Sequence, residues 1–255
     1  MSRTVHADNG PRRVLVGVGV GPGDPELVTL QAARLLAEAD VVLVPATEAS
    51  GDGPGRAEQI VTAVAPEARI ERIPFSMGDR KGVTEKRRES WQASADAAIT
   101  HFEAGVGVVA MATVGDPSVF STFSYLAGTV RERLSDVEVR LAPGITAMQA
   151  LAANSGTPLC EGTEVLALVP ATRDLTGLGE VLEVADSVCI YKGGRQLPAL
   201  RAILDEHGRS AVVGTNVSLP EQTLADLADL DAEATAPYFS AVLTTPERTS
   251  TGGAL

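Results

Sequence analysis

The stretch Val14-Leu15-Val16-Gly17-Val18-Gly19-Val20-Gly21-Pro22-Gly23-Asp24-Pro25 decides how the rest of the chain is read. Val14–Val18 is a short apolar run that ends in glycines, which predicts a strand. From Pro25 to Ala39, Leu27, Leu30, Ala33 and Leu36 recur at helical steps, which predicts an amphipathic helix. Asp24 stands where an N-cap belongs, and Pro25 at the first helical position. The glycines between strand and helix permit tight turning and close approach of a ligand to the backbone. Spacing excludes the dinucleotide fingerprint, because no Gly-x-Gly-x-x-Gly occurs and Pro22 interrupts the run. No Lys-Ser or Lys-Thr follows, so the loop is not a phosphate cradle either. The turn is therefore one wall of a ligand site or simply a structural turn.

Working outward, the alternation continues. Strands are predicted at Asp40–Val44, Arg69–Ile73, Gly107–Ala112 and Val137–Leu141, and helices at Ala57–Val64, Phe120–Leu134 and Ile145–Ser155. Trp91, Ala95, Ala98 and Phe102 fall at helical spacing and read as core packing. This order predicts a mostly parallel sheet with helices on both faces. After Ser155-Gly156-Thr157-Pro158 the pattern restarts, with strands at Glu164–Val169, Ser187–Tyr191, Ala211–Val217 and Phe239–Thr244 and a helix at Leu197–Glu206. The expectation is an α/β chain of two α/β domains, residues 12–156 and 157–246, with a ligand cleft between them. The tails 1–11 and 247–255 are expected to be flexible.

Aromatic residues make up only 4% of the chain, so the core must be built from Val, Leu and Ala, which suits parallel strands buried on both faces. The net charge of −12 disfavours bulk nucleic-acid binding but leaves room for a local basic pocket. Cys160 and Cys189 are too few for a disulfide framework, lack metal-ligand spacing, and are expected to be buried small hydrophobes. No metal site is expected. No stretch approaches the ~20 apolar residues of a membrane span. Met1–Pro11 lacks the apolar run of a signal peptide, so the chain is expected to be soluble and cytoplasmic.

Two further loops share the geometry of the first. Ala112-Thr113-Val114-Gly115-Asp116-Pro117-Ser118-Val119-Phe120-Ser121 follows a predicted strand, and so does Pro143-Gly144-Ile145-Thr146-Ala147. Ligands of open α/β sheets sit beyond the carboxyl ends of strands, where such loops meet. Asp116 either accepts hydrogen bonds from a ligand or caps the helix ahead. Thr146 either meets a ligand with the free N–H groups beside it or is a local cap.

In order and spacing, Gly19-x-Gly21-Pro22-Gly23-Asp24-Pro25-Glu26-Leu27-x-Thr29, Gly115-Asp116-Pro117-Ser118 and Pro143-Gly144-Ile145-Thr146 resemble the tetrapyrrole (corrin and porphyrin) methylases, and the resemblance covers nearly all of Val14–Thr244. It implies two α/β domains with S-adenosylmethionine in the cleft between them, and a homodimer. Carried over residue by residue, it places Pro22, Gly115, Asp116, Val119, Thr146 and Ala147 at the cofactor. From the second domain it adds Tyr191 and Lys192, within Ile190-Tyr191-Lys192-Gly193. Lys192 stands where other branches often carry Met.

One branch is most similar, the methyltransferases acting on carbon 20 of precorrin-2 in cobalamin synthesis. The likeness lies in Asp116-Pro117-Ser118-Val119-Phe120-Ser121-Thr122-Phe123-Ser124-Tyr125-Leu126, in Leu168-Val169-Pro170-Ala171-Thr172, in Gly194-Arg195-Gln196-Leu197-Pro198 and in Pro237-Tyr238-Phe239-Ser240. Ser218-Leu219-Pro220-Glu221-Gln222 departs toward the general family pattern. The rivals are the cobalt-containing substrate, another methylase scaffold, and a cofactor-binding regulatory module without turnover. Methyl transfer from a sulfonium needs alignment rather than a nucleophilic residue, and no Ser-His-Asp pattern is evident. His101 and His207 are expected at the surface. A tetrapyrrole carries many carboxylates, and the net positive stretch Asp79–Glu89 offers Arg80 and Lys81 as partners for them, unless it is only a solvated charge run.

Overall fold

The computed structural model describes residues 12–47, 53–75, 84–171 and 174–248. Its first sheet takes β1 (Val14–Gly19), β2 (Val41–Thr47), β3 (Ile70–Phe75), β4 (Val108–Thr113) and β5 (Glu138–Ala142) in the order β3-β2-β4-β1-β5, every pair parallel. All six residues of β1 are buried, so this strand carries an unbroken apolar run where one-sided strands alternate. One face is covered by α1 (Leu30–Glu38) and α2 (Arg56–Val64), whose Leu36, Ile60 and Val61 pack on Val16, Val18 and Val44. The other is covered by α3 (Glu85–Glu103) and α4 (Phe123–Arg133), whose Ile99, Phe102, Phe123 and Leu126 pack on Leu15, Leu43 and Met111. In this order the connection leaving β1 runs toward β2 and the one leaving β4 runs toward β5. Their carboxyl ends therefore form the crevice where ligands of such sheets bind.

Two helices start later than the sequence predicts. Pro25–Leu27 is only a short 3-10 turn, capped by Asp24, whose Oδ1 accepts from Glu26 N at 2.8 Å. The helix proper starts behind Thr29, whose Oγ1 accepts from Ala32 N at 3.1 Å. Phe120 has φ of 49°, outside the helical range, and α4 begins at Phe123.

The second sheet takes β6 (Leu166–Pro170), β7 (Ser187–Tyr191), β8 (Val212–Thr215), β9 (Thr223–Asp226) and β10 (Ser240–Thr244) in the order β6-β7-β10-β8-β9. Only β6 and β7 are parallel. The mostly parallel expectation thus holds for the first sheet; in the second, the short β8–β9 connection can only join antiparallel neighbours. α6 (Leu178–Val184) and α7 (Leu197–Glu206) cover one face with Leu178, Leu182, Leu200 and Leu204. The other face receives Ala150 and Leu151 of α5 (Ala147–Ser155), the helix that follows β5.

The periodicity does not reveal α6 or β9. α6 has seven residues, and its N-cap Gly177 makes no side-chain cap. A remote side chain closes it instead. Arg209 donates to the carbonyls of Leu182, Ala185 and Asp186 at 2.8, 2.7 and 2.6 Å, which satisfies the orphan acceptors of the helix end. Among the described residues, no helix is long and apolar enough to cross a membrane.

Candidate active site

Three adjacent strands, β4, β1 and β5, end side by side, and the three motif loops leave from those ends. Gly21 and Gly115 exchange backbone hydrogen bonds of 3.3 and 2.7 Å, and both have φ near +76°, a conformation that disfavours any side chain. The loops then press together where no Cβ fits. A Cβ on Gly19 would sit 2.6 Å from Gly144 N and 2.7 Å from Gly115 O. A Cβ on Gly144 would sit 2.8 Å from Gly19 Cα and closer still to Gly115 O. These glycines are thus steric requirements of loop-on-loop packing. On its outer side Gly115 is open: a Cβ there would meet nothing within 4 Å.

Asp116 ties the second loop to the third. One carboxylate oxygen accepts from Ser118 N at 2.7 Å and from Ser118 Oγ; the other accepts from Gly144 N at 2.9 Å. Burial works against its ionisation, but these hydrogen bonds outweigh it and hold the carboxyl below the usual aspartate range. The carboxylate therefore holds the second and third loops together, a role that neither reading from the sequence, ligand acceptor or helix cap, contains. Val119 is half-buried and returns a hydrogen bond to Asp116 O at 3.2 Å. Pro22 is buried in the first loop, just before Asp24 N donates to Ser218 Oγ of the second half at 3.2 Å. Thr146 forms a full capping box with Gln149 at the start of α5, so the local-cap reading is realised, and Ala147 is the first helical residue.

The second half meets these loops along one edge, formed by the ends of β7 and β8 and the start of β10. Tyr191 Oη accepts from Met148 N at 3.3 Å, also bonds the Thr146 side chain, and its ring packs edge-on to Phe120 at 5.3 Å. Burial pushes the Tyr191 phenol up to about 12, so it stays protonated at neutral pH. Lys192 N donates to Ser240 O at 3.3 Å. Its φ is 63°, and Asn216 and Ser218, just past the end of β8, are also left-handed, at 48° and 71°. Such conformations cost about 1–3 kcal/mol each and gather where a site over-determines the backbone.

The residues carried over as cofactor contacts thus fall into two groups, Pro22, Gly115, Asp116, Val119, Thr146 and Ala147 on one edge and Tyr191 and Lys192 on the facing one. Direct hydrogen bonds join the two edges. Arg80 and Lys81 lie outside the described residues. The residue patterns do not single out Arg56 or Asn216, whose side chains meet across the same gap with Nη2 donating to Oδ1 at 2.9 Å. Two surface expectations need correction. His101 is largely covered, its Nε2 2.7 Å from Glu71 Oε2. Cys160 is exposed rather than buried; Cys189 is buried, and its thiol is pushed up to about 12 by that burial. Two surface hollows, one against α1 and β5 and one along α3, include none of the loop residues. Among the described residues no cluster of His, Cys, Asp and Glu is fit to hold a metal.

Residues 14–231 match the family profile of the Tetrapyrrole (Corrin/Porphyrin) Methylases. The chain belongs to this family. The methylase is 34% identical over 234 residues to a Sinorhizobium protein named precorrin-2 C(20)-methyltransferase, covering 90% of this chain and 94% of that one. It is 29% identical over 238 residues to the cobalt-precorrin-2 C(20)-methyltransferase of Salmonella typhimurium, again covering 90% and 94%. Its fold is similar to that of the uroporphyrin-III C-methyl transferase of Thermus thermophilus complexed with S-adenyl homocysteine, with a TM-score of 0.64, 24% identity, and coverage of 91% of this methylase and 97% of that chain. In this methylase the motif loops that carry the resemblance are the ones gathered at the carboxyl edge of the first sheet.

Proposed function

We propose that this methylase transfers a methyl group from S-adenosylmethionine to carbon 20 of precorrin-2, giving precorrin-3A in cobalamin biosynthesis. The observation that carries the reading is the near full-length likeness to the Sinorhizobium protein of that name, together with Gly115-Asp116-Pro117-Ser118 placed beside the other two loops.

The chain's own groups fit the donor. Gly115 leaves open space where a side chain would stand, and Thr113 Oγ1 is buried at the end of β4 without a hydrogen-bond partner among the described residues. Both suit a polar ligand at this edge. Pro22, Gly115, Asp116, Val119, Thr146, Ala147, Tyr191 and Lys192 are the proposed contacts, with Asp116 acting through backbone because its carboxylate holds the loops. When bound, S-adenosylmethionine supplies an activated methyl on a sulfonium and leaves as a neutral thioether. The residues here have to position and dehydrate the reactants; holding them in line supplies roughly 7–11 kcal/mol of barrier reduction. Tyr191, kept neutral by burial, offers no base at working pH, and its hydroxyl is occupied in tying β7 to α5.

Arg80 and Lys81 are the proposed partners of the acceptor's acidic side chains. Resemblance further supports a homodimer, and the cytoplasm is the proposed location. The cobalt-containing substrate is the second reading, favoured by the Salmonella relative and by a probable cobalt-precorrin-2 C(20)-methyltransferase of Methanocaldococcus jannaschii, 33% identical over 176 residues.

Labelled S-adenosylmethionine offered with metal-free precorrin-2, and in parallel with cobalt-precorrin-2, tests the assignment. Faster label transfer to the metal-free acceptor is expected. Preference for the cobalt form moves the chain to the second reading, and cofactor binding with transfer to neither removes the enzyme assignment. In the same assay the double variant Arg80→Ala, Lys81→Ala is expected to raise KM for the tetrapyrrole about tenfold. An unchanged KM leaves those two residues as a solvated run.

A further inference from the structure

Arg56 opens α2 directly after Gly53-Pro54-Gly55 and reaches out of the first half to the edge of the second. Its guanidinium carbon stands 3.7 Å from the centroid of the Phe239 ring, and Nη2 donates to Asn216 Oδ1 at 2.9 Å. Neither partner is charged. The side chain is part-buried, and burial pulls its pKa below the usual arginine value while Glu221 opposes the shift. A guanidinium taken partly out of water onto an aromatic face and one amide oxygen has lost hydration that one neutral acceptor only partly replaces. Its fork of five donors matches a carboxylate best, bidentately.

The surroundings are built for contact rather than for packing alone. Phe239 lies edge-to-face with Tyr238 at 5.3 Å, and Lys192 Nζ stands 5.5 Å from the Tyr238 ring. Two cations therefore flank two adjoining aromatic rings at the start of β10. Asn216, which orients the guanidinium, is itself held left-handed with its N–H donating to Phe239 O at 2.9 Å. Gly23 and Asp24 of the first motif loop abut the same segment, through Leu219 and Ser218.

We infer that Arg56 is the anchoring cation of a carboxylate subsite in the cleft, placed between the first motif loop and the β8–β10 edge. The inference rests on the methyltransferase reading, in which both ligands carry carboxylates: the amino-acid end of the donor and the acidic side chains of the acceptor. The chemistry recognised is the same, and the experiment separates the two sources.

The test uses the full chain with Arg56→Lys and Arg56→Met. KM and kcat are measured with precorrin-2, and Kd is measured for S-adenosylhomocysteine and for 5′-methylthioadenosine, which lacks the carboxylate. If the acceptor's carboxylate is bound, Arg56→Met raises KM for precorrin-2 at least about tenfold with kcat largely kept, and both Kd values stay. If the donor's is bound, Kd for S-adenosylhomocysteine rises by about that factor while Kd for 5′-methylthioadenosine does not. In either case Arg56→Lys recovers part of the loss. Parallel weakening of both nucleoside ligands with no recovery by Lys assigns Arg56 to a structural tie between the halves and overturns the inference. So does no change in any of the constants. Thermal unfolding of both variants shows that each is folded, and turnover of precorrin-2 by the unsubstituted chain reports on the methyltransferase reading separately.

Discussion

Gly144→Ala is expected to abolish methyl transfer and to destabilise the chain by about 3 kcal/mol, the upper end for overpacking. The added methyl has nowhere to go. Its neighbours are Gly115 O and the backbone of Gly19, not the ends of flexible side chains. Relief requires one of the three loops to move, and each is fixed by a strand end. Gly19 is the last residue of β1, Gly115 is bridged to Gly21, and Gly144 N is held by Asp116. Whichever loop moves, the wall shared by Pro22, Gly115 and Thr146 loses its form. Gly128→Ala is the matched control. It lies within α4, a Cβ there meets nothing within 4 Å, and helix propensity favours Ala by about 1 kcal/mol. Urea unfolding and the affinity for S-adenosylhomocysteine read both variants. A Gly144→Ala protein as stable and active as its parent contradicts the three-loop packing.

Removing the Asp116 carboxylate has the second large effect. Asp116→Ala leaves Ser118 N, Ser118 Oγ and Gly144 N without their acceptor, and about 2–4 kcal/mol of stability goes with them. Asp116→Asn keeps the shape but points an amide N–H₂ at one of those donors, so it loses nearly as much. The pH dependence follows from the direction of the shift. The folded carboxyl titrates below its unfolded value, so its contribution is complete above the unfolded pKa, about 4. It is lost as pH falls through the lower folded value, where the unfolded chain binds the extra proton. Urea midpoints measured from pH ~7 down to ~3 should fall more steeply for the parent than for Asp116→Asn. Parallel curves would show that the carboxylate is not held as the geometry indicates.

The first half was largely legible because its signals are local. An apolar run, a glycine turn and a helical period recur along it, and parallel strands buried on both faces leave continuous hydrophobic stretches. The site loops were legible for the same reason, since each follows a strand directly. The second half hid elements whose support is remote. α6 ends on Arg209, some two dozen residues downstream, and β9 is short and has no buried residue. Asp24 and Pro25 looked like a helix start because capping chemistry is the same for one turn as for nine residues. The role of the Asp116 carboxylate depends on Gly144, 28 residues away, and no local pattern carries that. Arg56 was missed because its partners, Asn216 and Phe239, lie beyond the second sheet's first strands. Left-handed Lys192, Asn216 and Ser218 carry no glycine to announce them.

The most direct test of the central claim is the position of the new methyl group. Precorrin-2 enriched with ¹³C at carbon 20 is incubated with S-adenosylmethionine carrying a ¹³C methyl, and the product is analysed by ¹³C NMR. A single enriched methyl resonance coupled to carbon 20 is the predicted result. Enrichment at any other carbon of the macrocycle, or an unlabelled tetrapyrrole from a chain that binds S-adenosylhomocysteine, would contradict it.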